Sequence, residues 1–319
     1  MSTQLPILAA MDWHQLWYMI SLPDNVPIVL LLILVPFYVW MSFRMARRND
    51  ALIAQLEADP ELAKTHHRTP FPYKKGWPKT VQVWPHLLKR EFLAAIIVTI
   101  ILIVWSICLD APLEDPANPN LTMNPSKAPW YFLGLQELLV YFDPWIAGVV
   151  LPSIILVGLM AIPYIDVNPR GNGYYTWKQR KFAIGTFLFG FLVMWVLLVI
   201  IGTFIRGPGW LWFNPGETWD HHRVDHQFNR DLHQFFGIEG TWPVFFFGLG
   251  FLSLCAGAIG GVTHTCIKKM APDMFKRMSS LQYQVMMQLW VMMMIVLVKI
   301  ILRLTFVVKN VWVTPWFNV

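Results

Sequence analysis

Charge is scarce in this sequence. Asp, Glu, Lys and Arg make up 14% of the residues, where soluble domains carry roughly a quarter, so an ordinary solvated globular surface is excluded. Cysteine is scarcer still: Cys108, Cys255 and Cys266 form no Cys-x-x-Cys and no Cys-x-x-Cys-His. That excludes the common zinc spacings and covalently attached haem c, and leaves three unpaired thiols as the expectation. Once the apolar runs are set aside, no polar stretch is long enough for a soluble domain. There is no internal repeat, no low-complexity tract and no strand-like alternation. The first 23 residues hold no Lys or Arg. The first apolar run is long enough to stay as a helix, so no cleavable secretory leader is expected.

What is abundant is apolar and aromatic. Six uncharged runs, at 25–43, 92–109, 144–165, 182–205, 241–263 and 278–298, reach the ~20 residues that cross a hydrocarbon core. Lipid offers the backbone no hydrogen-bond partner, so each run is expected to be a helix. The 17 Trp and 22 Phe suit headgroup-level rings. Segment 44–91, with Pro70, Pro72, Pro78 and Pro85, reads as an irregular linker holding a short helix near 50–63. The fold class is an all-α polytopic membrane protein: six transmembrane helices plus a short amphipathic surface helix in the second outer loop.

The net charge of +6 bears on orientation and not on nucleic acid. Segments 44–91, 166–181 and 264–277 hold eighteen Lys and Arg. Segments 1–24, 110–143, 206–240 and 299–319 hold the other seven of the 25. The two sets alternate as six spans require. The basic loops are therefore expected in the cytoplasm and both termini on the periplasmic side of a bacterial inner membrane. Lys299 and Arg303, four apart at the end of the last span, either snorkel to headgroups or meet a partner subunit.

The second outer loop carries the chemistry. Asp110, Glu114 and Asp115 lie among Pro and Asn, followed by Asn124-Pro125-Ser126-Lys127-Ala128-Pro129-Trp130-Tyr131-Phe132-Leu133. Ser126 is a plausible N-cap and Pro129 fits a first helical turn. The pattern to about Phe142 is amphipathic and too short to span. Glu137 would sit among rings and leucines, where a carboxylate can trade protons near neutral pH. It lies seven residues after Trp130, two α-helical turns on and so on the same face. The competing reading is a carboxylate satisfied by a helix end or by a partner's Arg or Lys.

Here the sequence resembles a known family. Residues 90–205 look like the C-terminal half of cytochrome b, equivalent to subunit IV of cytochrome bf complexes. Asp115-Pro116-Ala117-Asn118-Pro119, followed by Ala128-Pro129-Trp130-Tyr131-Phe132-Leu133, is similar to the loop that covers that family's outer quinol-oxidising pocket and ends in Pro-Glu-Trp-Tyr. The resemblance covers a little over a third of the chain. It implies that Pro129, Trp130, Tyr131 and Phe132 bind quinone, with Tyr131 lining the pocket. The chain departs from the family where the proton-accepting glutamate belongs, since Pro129 stands there. Tyr131 and Glu137 are the catalytic candidates, Glu137 as substitute acceptor. Arg90-Glu91 stands where the family has a Lys-Asp pair near the inner quinone site. It would either bind quinone or form an interfacial ion pair.

The same resemblance bears on cofactors and partners. None of the six apolar runs contains a histidine, so the family's paired axial ligands are missing. No haem is expected on this chain alone. Haem b and a Rieske 2Fe-2S cluster would belong to a cytochrome b-like haem subunit and a Rieske iron–sulfur protein, with a cytochrome c subunit and membrane lipids as further partners. Quinol is the substrate, and the complex a quinol–cytochrome c oxidoreductase. The alternative is a structural anchor with no catalytic quinone site. The expected organisation is an N-terminal span with basic linker (1–85), the family-like three-span region (86–205), and an outer loop with two extra spans (206–319). Gly248, Gly250, Gly257, Gly260 and Gly261 favour close helix approach. His221, His222, Asp225 and His226 form a loop that either binds a metal or, the favoured reading, docks a Rieske or cytochrome c partner.

Overall fold

The computed structural model describes residues 12–66, 83–111, 113, 116–168, 173–224 and 229–319. Among these residues, six helices are long and apolar enough to cross a membrane: Val26–Ala58, Val83–Cys108, Ile146–Ile165, Trp177–Ile205, Thr241–Met270 and Ser280–Phe306. A short helix, Leu133–Tyr141, lies between the second and third. Among the described residues, extended pairing is confined to isolated bridges. The chain is thus an all-α polytopic membrane protein.

The helices outrun the apolar stretches. The first is 33 residues long, about 50 Å at 1.5 Å per residue, against a hydrocarbon core of ~30 Å. It continues through Arg44, Arg47 and Arg48 to Ala58, so the first part of the expected irregular linker is helical. Nothing between Tyr38 and Ala58 is Pro or Gly, and Pro60 ends the run. Asp59 then caps Pro60–Thr65, its carboxylate accepting from the N–H groups of Glu61 and Leu62 at 3.0 and 3.1 Å. The remainder of the linker, 67–82, lies outside the described residues. Helical extension also brings His86 and His264 inside helix ends, where the apolar runs had none.

The chain forms two compact units. In one, made of the described parts of 18–119 and 174–179, the extended end of the first helix holds the segment after Gly173. Asn49 Nδ2 donates to the Tyr175 carbonyl at 2.9 Å, the Asp50 carboxylate accepts from Lys178 N–H, and His66 Nε2 meets Tyr174 OH at 2.9 Å. In the other, made of the described parts of 1–17, 120–173 and 180–319, the last four spans pack with the short helix. Gln282 Nε2 ties the start of the sixth span to the Tyr164 carbonyl at the end of the third, 2.7 Å away. Leu138, Tyr141, Phe142, Ile146, Ala147, Leu198 and Val296 make the core, which joins the short helix to the third, fourth and sixth spans.

After the sixth span the chain turns back at Val307, in the left-handed region (φ 57°). Val308 and Val311 are buried against Leu232, and Trp312 Nε1 donates to the Phe245 carbonyl at 3.1 Å. Lys299 lies buried beneath this return, its ammonium on the Lys309 carbonyl. It neither snorkels nor awaits a partner, because the chain's own backbone satisfies it. The glycines of the fifth span divide likewise. Gly248 meets the returning segment and Gly260 faces Val291, whereas Gly250, Gly257 and Gly261 face open space.

A Cβ on Gly248 would stand 2.7 Å from Trp312 Cδ1 and 2.8 Å from Trp312 Cα, and backbone cannot swing aside. Gly248→Ala is expected to cost about 1–3 kcal/mol and Gly250→Ala next to nothing. Thermal unfolding in detergent measures both, and equal midpoints would refute the packing.

Candidate functional site

The segment before the short helix is pinned by side chains. Gln136 reaches back, its Nε2 donating to the Ser126 carbonyl and its Oε1 accepting from Ala128 N–H, both at 2.8 Å. Ser126 therefore serves as an acceptor through its backbone and not as an N-cap. Trp130–Phe132 form one tight turn with Pro129 at its cap position, and the α-helix proper starts at Leu133. The turn has about three residues per revolution, which moves Glu137 only some tens of degrees from the α-helical phase set by Trp130. Trp130 meets Tyr131 edge-on and Tyr131 meets Phe132 at a tilt, ring centres 5.7 and 4.8 Å apart, and Tyr131 and Phe132 remain half exposed. Glu137 is completely enclosed.

The helix seats closely on the fourth span because two glycines face it. A Cβ on Gly202 would be 3.2 Å from Leu133, and one on Gly134 would be 3.3 Å from Val199. The fourth span ends in a wide turn, Arg206 N–H donating five residues back to the Ile201 carbonyl at 3.0 Å. A short return follows: Gly207 N–H bonds the Leu211 carbonyl and Phe213 N–H the Ile205 carbonyl. Gly207 lies flat against the Phe213 ring, where a Cβ has no room. Gly209 and Trp210 both take positive φ (65° and 57°). This backbone aims Arg206 and Trp210 at Glu137.

The Glu137 carboxylate accepts from four donors. Arg206 Nη2 is 2.7 Å from Oε1, Arg206 Nε 3.0 Å from Oε2, Tyr141 OH 2.7 Å from Oε1 and Trp210 Nε1 3.2 Å from Oε2. Arg206 also donates to the Trp210 carbonyl at 3.0 Å and lies over the Trp212 ring. Such forked, charge-assisted bonding is what lets two opposite charges stay out of water. Burial works against the Arg206 charge, and the bonds and charge of Glu137 outweigh it, so the guanidinium titrates above its ordinary range. Burial, then the neighbouring carboxylate, pushes the Tyr141 phenol up.

Lys127 borders this cluster. Its ammonium donates to the Thr203 carbonyl at 2.9 Å and sits 4.9 Å from the Trp219 ring centre. Burial lowers its pKa to about 8, against the opposing pull of Glu137.

Of the sequence candidates, Pro129, Trp130, Tyr131 and Phe132 form one aromatic turn, and Glu137 lies enclosed behind it. Arg90 and Glu91 are exposed residues of the first turn of the second span, in the other unit. Asp225 and His226 lie outside the described residues, while His221 and His222 are exposed. Sequence reasoning missed Arg206, Tyr141, Trp210 and Lys127. Tyr141 was findable, four residues after Glu137 on one helix face. Arg206 had a weaker signal, as a cation directly at the end of an apolar run on the charge-poor side.

The chain is 31% identical over 139 residues, 41% of its length and 49% of the relative's, to a Bacillus subtilis protein named menaquinol:cytochrome c reductase cytochrome c subunit. It is 31% identical over 124 residues, 37% and 48% of the two lengths, to a Geobacillus thermodenitrificans protein of the same name. The chain spans about half the length of these curated relatives. No family model and no solved structure matches it.

Removing either partner of the ion pair leaves the other buried and uncompensated. Glu137→Met and Arg206→Met are each expected to cost about 3–5 kcal/mol, and the two together distinctly less than the sum. Thermal unfolding of the four proteins measures the coupling, and additive losses would contradict it. Lys127 gives a pH test. Between pH about 8 and its ordinary range near 10.5, the folded state binds fewer protons than the unfolded one. Stability from this group therefore rises with pH across that window. Lys127→Met is expected to flatten that rise in the unfolding midpoint, and an unchanged profile would exclude Lys127 as its source.

Proposed function

We propose that the chain is a membrane subunit of a bacterial quinol–cytochrome c oxidoreductase, helping to form its outer-side quinol-oxidation site. The observation that carries this is the likeness to two proteins named as menaquinol:cytochrome c reductase subunits, and menaquinol is the donor it suggests. The basic loops face the cytoplasm and both termini lie outside. Residues 90–205 act as a subunit IV-like region. Pro129, Trp130, Tyr131 and Phe132 wall the quinol pocket, with Tyr131 against the ring. Arg90 and Glu91 belong to an inner-side quinone contact.

Quinol oxidation releases two electrons and two protons. None of the six apolar runs carries a histidine, so a Rieske cluster and haem b on partner subunits would be the groups that accept the electrons. The relatives are named cytochrome c subunits, yet this chain has no Cys-x-x-Cys-His, and Cys108, Cys255 and Cys266 are too far apart to supply one. These residues do not fit haem c, and we assign that group to a partner subunit. Glu137 takes a quinol proton. Its enclosure by Arg206, Tyr141 and Trp210 favours a second reading, in which the ion pair holds the aromatic turn and the proton leaves through another group.

Purification from native membranes tests the assignment. A b-type haem spectrum and a Rieske signal should accompany the chain, whereas a molybdenum or nickel enzyme in their place would sink the proposal. In the assembled complex, Tyr131→Ala is expected to lower quinol turnover about ten-fold. Glu137→Gln separates the two readings: a shifted pH–rate profile assigns the proton to Glu137, and an unshifted one removes it from the proton route.

A further inference from the structure

The fifth and sixth spans are joined on the basic side by a short helix, Pro272–Arg277. Four cations crowd this connection. Lys268 and Lys269 occupy the last turn of the fifth span, and Lys276 and Arg277 the last turn of the connector. All four are exposed, and among the described residues none forms an ion pair. The acid at the end of the third span, Asp166, is already taken, since Arg180 holds both its oxygens at 2.6 and 2.7 Å.

The cations do not hang from a loose loop. Phe275 packs edge-on against His264 and Tyr283, ring centres 5.5 and 5.3 Å away, and His264 Nδ1 meets Tyr283 OH at 2.7 Å. This pins the connector between the two spans and fixes where Lys276 and Arg277 emerge. Met270 and Leu281, next to the four cations in sequence, are 84% and 71% exposed. Long apolar side chains in that position suit acyl chains, and the cations beside them suit phosphate.

We propose that this end of the fifth and sixth spans is a binding site for the phosphate headgroups of anionic phospholipids. Four fixed cations stand against one acid, Asp273, which forms no ion pair with them among the described residues; at the rim of two apolar helices they attract an anion, and the adjoining apolar side chains select one that carries acyl chains. The site is independent of the quinol reading.

The test uses the purified protein in nanodiscs of equal phosphatidylglycerol and phosphatidylcholine, each in turn carrying a photoactivatable acyl chain. Crosslinks to the peptide 264–283 are expected about ten-fold more often from phosphatidylglycerol. Changing Lys268, Lys269, Lys276 and Arg277 to Gln should reduce that preference to parity. Changing the three lysines to Arg should keep it and serves as the folding control. Parity in the wild type, or an undiminished preference in the Gln variant, would overturn the proposal. Loss of the preference in millimolar inorganic phosphate would instead mark a free-anion site. Its disappearance in the intact native complex would mark a protein partner's surface, and either result overturns the lipid assignment.

Discussion

A carboxylate with no access to water needs every lone pair answered, and Glu137 has that only because three separate segments converge on it. Tyr141 comes from its own helix, Arg206 from the end of the fourth span, and Trp210 from the return that follows. The neighbouring structure is shaped to allow this. The wide turn at Ile201 sets the phase at which Arg206 leaves the span, and the glycine at 207 lets Phe213 close over it. Positive φ at Gly209 and Trp210 then swings the indole N–H back toward the acid. A buried pair of this kind adds little or no net stability against an apolar alternative but penalises every arrangement that separates the charges. Its value is specificity: it selects one docking of the short helix on the fourth span, a choice that packing of leucines alone would leave loose.

The spans were legible because lipid permits one solution for a long uncharged run. Their ends were not, since apolarity and helicity stop for different reasons. Arg44 and Arg47 end the apolar run, yet arginine is a good helix former, and the helix persists until Pro60. The short helix differs at its start: Pro129 leads into a tighter turn, Trp130–Phe132, and the α-helix proper begins only at Leu133. The chemistry around Glu137 was half readable. A partner for it was foreseen, but as an Arg or Lys of another subunit. Arg206 is 69 residues away, and only the fold brings it near. Trp210 reaches the site through a left-handed backbone at a non-glycine residue, a conformation that sequence does not announce.

The comparison with menaquinol:cytochrome c reductase subunits and the missing Cys-x-x-Cys-His pull in different directions. Covalent haem attachment requires two thiols and an axial histidine in a fixed spacing, and sequence divergence cannot supply them from Cys108, Cys255 and Cys266. The match covers about half of each relative, so the likeness points to the complex and brings no haem site to these residues.

The short helix Leu133–Tyr141 is amphipathic in an inverted sense. Its acid points inward to a cation, and the aromatic turn ahead of it points outward, with Tyr131 49% and Phe132 52% exposed. Against water alone that distribution is unfavourable, because the buried charges carry a desolvation cost while the rings gain nothing from exposure. It becomes favourable when the outward surface meets something flat and apolar with a polar edge. Lipid at headgroup level meets that condition, and so would the proposed quinol ring. The ion pair on one side of the helix and the rings on the other then act together: the charges fix the helix, and the aromatic turn holds its position.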